Sequence, residues 1–78
     1  MPRLPRVAAK ELIRALRRAG FEEFDQEGSH VYLHRWTGER WSQRVTVPFH
    51  AGKTLKLKTL KRILDQAGLS VEDLTRLL

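Results

Sequence analysis

The chain has 78 residues, no cysteine and a formal net charge of +6. That length holds a single domain, residues 1–78, with no room for a large cofactor pocket, so no cofactor is expected. The missing cysteines exclude disulfides, a thiolate nucleophile and Cys-based zinc or iron–sulfur sites, and point to a reducing cytoplasm.

Met1-Pro2-Arg3-Leu4-Pro5-Arg6 is basic but lacks an apolar signal stretch. No run nears the ~20 apolar residues that cross a bilayer, so a membrane role is not expected and the protein should stay where it is made. From Ala8 to Ala19, Leu12, Ile13 and Leu16 recur at helical spacing with Lys10, Arg14 and Arg17 between them, and Gly20 stops the segment. Phe21 to Gln26 reads as a short strand leading to a Glu27-Gly28 corner. His30 to Trp36 alternates, with Val31 and Leu33 on one face and His30, Tyr32, His34 and Trp36 on the other. Thr37-Gly38-Glu39-Arg40 has turn chemistry, Arg44 to Val47 alternates again, and Pro48 closes that strand. Ala51 to Lys58 reads as a basic loop. Leu60, Ile63, Leu64 and Ala67 then repeat at helical spacing up to Gly68, and Ser70 with Asp73 forms a capping pair before a short last helix. The order predicts an α+β fold, α-β-β-β-α with a short extra C-terminal helix, whose helices cover one face of a three-stranded antiparallel sheet. The histidine-bearing face is then the open one.

Charge is segregated along the chain. Lys10, Arg14, Arg17 and Arg18 share the first helix, while Lys53, Lys56, Lys58, Lys61 and Arg62 form a second block free of acid. Such blocks suit a polyanion, although basic residues on helices commonly do no more than solvate a face. Tyr32 and Trp36 on the open face could stack on unpaired bases, and Trp36 and Trp41 suit a cross-hairpin pair.

His30 is the first candidate for chemistry, because an imidazole, with an ordinary pKa of roughly 6.5, takes and gives protons near neutrality. His50, at a strand end before the basic loop, is a possible second acid or base. A metal site is not expected: His30 and His34 lie about 13 Å apart on an extended strand, too far for one ion. Neither Ser29 nor Ser42 carries a nucleophile signature.

Arg18-Ala19-Gly20-Phe21, Gly28-Ser29-His30-Val31, Val45-Thr46-Val47-Pro48-Phe49-His50 and the run from Thr59 to Ser70, together with Leu4-Pro5-Arg6, resemble the HicA toxin family over nearly the whole chain. The resemblance implies a double-stranded-RNA-binding-domain-like fold and a metal-independent endoribonuclease that cleaves mRNA in the cytoplasm. It implies a HicB-type antitoxin as partner, and it places the catalytic histidine at His30. Lys53, Lys56, Lys58, Lys61 and Arg62, with Tyr32, are the expected RNA contacts, and the free protein is expected to be a monomer. One departure is Lys58, where relatives often carry glycine ahead of the Thr59-Leu60 pair. The alternative is a non-catalytic RNA-binding domain. A DNA-binding helical module is disfavoured, because strands separate the helices.

Overall fold

The computed structural model describes residues 3–78, so the Met1-Pro2 start of the basic leader lies outside it. Its elements in chain order are α1 (Ala9–Arg18), β1 (Phe21–Glu27), β2 (His30–Arg35), β3 (Val45–Pro48), α2 (Leu57–Ala67) and α3 (Val71–Leu77). The strands form one antiparallel sheet in the order β1-β2-β3. This is the α+β arrangement that the hydrophobic periodicity predicts.

The apolar stripe of α1 makes the helix and places it at once. Leu12, Ile13, Ala15 and Leu16 are buried on one side, and Lys10, Arg14, Arg17 and Arg18 stay in solvent on the other. Ala8 at the N-cap has no side-chain acceptor, so only the reverse half of a capping box forms, Glu11 Oε1 accepting from the Ala8 N–H at 2.9 Å. At the other end Arg18 donates from Nη1 to the Leu77 carbonyl at 2.6 Å, tying α1 to the end of α3.

Val31 and Leu33 of β2 and Val45 and Val47 of β3 point to the helices and are almost fully excluded from water, as are Leu60, Ile63, Leu64 and Leu74. Burying each such side chain stabilises the fold by roughly 1.5–3 kcal/mol, which is how a domain this small holds together without cross-links. No buried side-chain polar atom among the described residues lacks a partner.

Most boundaries fall within a residue of the sequence expectation, β1 running on to Glu27 and β3 spanning Val45–Pro48, and two further differences bear on the site. Helix α2 begins at Leu57, inside the stretch expected to be loop through Lys58. Thr54 bridges to Ala8 and the Leu55 N–H donates to the Val7 carbonyl at 2.8 Å, so the chain is already anchored at residues 54–55 and the helix starts directly after. Strand β2 ends at Arg35, leaving Trp36 in an isolated bridge with Trp41. Gly68 then ends α2 in a left-handed conformation (φ +70°), the backbone state glycine adopts without steric cost.

Candidate active site

The site is set by a two-residue hairpin turn. Glu27 pairs with His30, leaving Gly28 and Ser29 as the loop, and Gly28 has φ +57° while no non-glycine residue among those described has positive φ. That is the pattern of a type II′ turn, whose twist matches the flanking strands and whose first central residue is glycine. A Cβ on Gly28 would meet nothing within 4 Å, so the glycine serves backbone conformation and not close approach. The turn puts His30, exposed, at the first position of β2 on the face away from the helices.

Pairing register brings Glu27 and Pro48 to either side of His30 on that face. The Phe49 N–H donates to the Ser29 carbonyl at 2.6 Å, which pins the exit from β3 against the turn. Pro48 then forms one wall of a cleft of about 370 Å³ lined also by His50, Lys53, Thr54, Leu55, Lys56 and Thr59. His30 therefore stands next to the cleft wall that leads to His50. Of the expected phosphate contacts, Lys53 and Lys56 line the cleft. Lys58, Lys61 and Arg62 are exposed on α2 outside its lining.

The electrostatics of the cleft are one-sided. Lys56 is the N-cap of α2 in extended geometry (φ −63°, ψ 140°) and gives no side-chain cap, and the first turn holds no acid. The free N–H groups at that end and the lysines beside them make a positive terminus that an anion would relieve. Among the described residues the ion pairs are Arg17 with Glu23 and Arg76 with Asp73, so Lys53 and Lys56 have no carboxylate partner. No group of three or more potential ligands that could hold a metal occurs among the described residues.

Beyond His30 the open face carries a row of stacked aromatic rings. Phe24 stacks on His34 (centroids 4.1 Å apart) and His34 stacks on Trp41 (3.8 Å), which meets Trp36 edge-on at 5.4 Å and 69°. The cross-hairpin tryptophan pair expected from the sequence is thus present. Phe24 reaches this face by plain alternation from the buried Phe21, and the register shift that follows it, between Glu23 and Asp25, brings Asp25 and Glu27 to the same face, which simple alternation does not signal. Tyr32 lies on the face as expected but is only 8% exposed, with the Arg44 guanidinium 4.4 Å from its ring centre. An incoming base would meet Arg44 before Tyr32. Glu27, opposite His30, also escaped the sequence reading, though a two-residue Gly-Ser loop was the signal that could have placed it.

Among the described residues no helix is long and apolar enough to cross a membrane. A family model described as HicA toxin of bacterial toxin-antitoxin matches residues 9–69, a span that contains the turn, the cleft and the aromatic row. No curated protein matches the chain.

Proposed function

The chain belongs to the HicA toxin family of bacterial toxin–antitoxin systems, and on that premise we propose that it is a metal-independent endoribonuclease acting on mRNA. The observation that carries this reading is the position of His30: exposed, directly after a conformationally defined turn, and paired with Pro48, a wall residue of the cleft whose cations Lys53 and Lys56 have no acidic partner. The phosphodiester backbone is the anion that such a cleft suits.

In the proposed reaction the neutral His30 imidazole takes the proton of a ribose 2′-hydroxyl. The 2′-oxygen forms a bond to the adjacent phosphorus, the bond from phosphorus to the 5′-oxygen breaks, and the leaving oxygen is protonated. The products are a 2′,3′-cyclic phosphate and a 5′-hydroxyl end, and no metal enters the balance. His50, on the cleft wall beyond Pro48, is the candidate donor for the leaving oxygen. Lys53 and Lys56 would neutralise charge that builds on the phosphorane, while Lys58, Lys61 and Arg62 would hold flanking phosphates. The cognate antitoxin, of HicB type, would inhibit by covering the His30 face, which needs no conformational relay.

The test is incubation of the protein and its His30→Ala variant with single-stranded RNA in excess EDTA, followed by end-group analysis. Wild-type cleavage leaving cyclic phosphates, reduced about 10²–10⁴-fold in the variant, is the expected result. Tight binding without cleavage by either protein, in a translating extract as well, would replace this reading with a non-catalytic RNA-binding domain.

A further inference from the structure

The open face is divided by charge. Pairing register puts Glu22, Asp25 and Glu27 of β1 beside His34, Tyr32 and His30 respectively, so the β1 half carries three carboxylates around the Phe24 ring and no cation. On the β3 half the neighbours of the same β2 residues are Pro48 and Thr46, with Arg44 laid over Tyr32 and Trp41 over His34. Residues 37–44, which carry Trp41, hold Arg40 and Arg44 against one acid, Glu39. A polyanion is therefore repelled from one half of the face and attracted to the other.

The attractive half is also continuous with the cleft. From Lys53, Lys56 and His50 it passes Pro48 and His30, then Arg44 over Tyr32, then His34 under Trp41, and ends at Trp36. Trp36 is 53% exposed and Trp41 45%, and neither belongs to the buried core cluster. Trp41 already stacks on His34, whereas Trp36 only meets Trp41 edge-on and has no stacked neighbour among the described aromatics. An exposed indole without a stacked neighbour, on the face that carries Arg44 and in line with a basic cleft, has the features of a base-stacking platform for a single strand.

We propose that the β2–β3 half of the open face is a track for single-stranded RNA, and that Trp36 stacks on an unpaired base held there. This deepens the nuclease reading and rests on it for the position of the cut. Six residues at about 3.3 Å each separate His30 from Trp36, roughly 20 Å along β2. At about 3.4 Å per stacked nucleotide that is at most about six nucleotides, and fewer when the strand is drawn out. The substrate is thus an unpaired segment of several nucleotides, because duplex bases present no free face to an indole.

Trp36 and Trp41 are the two tryptophans of the chain, so its intrinsic tryptophan fluorescence reports on this platform alone. The experiment titrates the His30→Ala protein, which should bind without cutting, with RNAs of about three and about twelve nucleotides. The long RNA should change the fluorescence and the short one should not. Trp36→Ala should weaken binding of the long RNA about five- to a hundredfold, leave the short one unchanged, and be largely reversed by Trp36→Phe. Wild-type cleavage of the long RNA with no fluorescence response and no effect of Trp36→Ala would overturn the track while leaving the nuclease standing. A fluorescence response to RNA in a protein that never cleaves would keep the track and remove the nuclease. A response to the cognate antitoxin and none to RNA would reassign the face to protein docking.

Discussion

Replacing Lys56 by Asp should make the protein more stable and less able to hold RNA. Lys56 occupies the N-cap of α2 in the extended conformation that a capping residue adopts, yet supplies no acceptor, and the first turn contains no acid. An Asp there accepts a hydrogen bond from an N–H of the first turn, worth about 1 kcal/mol, and its charge adds about 0.3–1 kcal/mol against the positive end of the helix. Since about 1 kcal/mol moves Tm by roughly 4–8 °C in a domain of this size, the variant should melt several degrees higher. The same change removes a cation from the cleft and puts an anion in its place. In the His30→Ala background, RNA affinity should fall and the slope of log affinity against log salt should flatten by about 0.7 or more. Lys56→Asn separates the two effects, giving the cap without the negative charge. Thermal denaturation by circular dichroism and a salt series of RNA titrations measure both. An unchanged or lower Tm would refute the capping argument, and undiminished RNA binding would remove Lys56 from the substrate path.

Gly28→Ala places a side chain at φ +57°, which should cost about 1–3 kcal/mol of stability, read by denaturant unfolding, and should lower cleavage more than the melting shift accounts for, because the turn sets the position of His30. Equal cleavage per folded molecule would show that the turn does not position the histidine. The Asp73 carboxyl is held below its ordinary value of 3.8, chiefly by the hydrogen bond from the Ser70 backbone N–H, then by the Ser70 side chain and by Arg76. Because protonation is harder in the folded state, its contribution is complete above the unfolded value and is lost as pH falls below 3.8 toward the lower folded value. Acid titration should therefore loosen α3 in that range, and Asp73→Asn should remove that part of the pH dependence, as measured by amide exchange at Leu74 and Leu77.

The sequence by itself determined the elements and the sidedness of the sheet. Leu12, Ile13 and Leu16 at helical spacing, and Val31, Leu33, Val45 and Val47 at alternate positions, had one way to leave water, and that fixed which face the helices cover. The Ser70–Asp73 cap was legible for the same reason, being local chemistry three residues apart. His30 was marked by its corner and by the family resemblance, and its exposed place on β2 follows from alternation. What only the tertiary structure decided depends on register and on distant segments meeting. A bulge in β1 turned Asp25 and Glu27 onto the open face, and Arg44 closed over Tyr32. The bridge from Ala8 to Thr54 let α2 begin at Leu57 and divided the lysines into those that line the cleft and those that do not. Each of these is a contact between residues several to many positions apart, whose free energy depends on where the backbone brings the two ends, and no local pattern of residue types encodes that position.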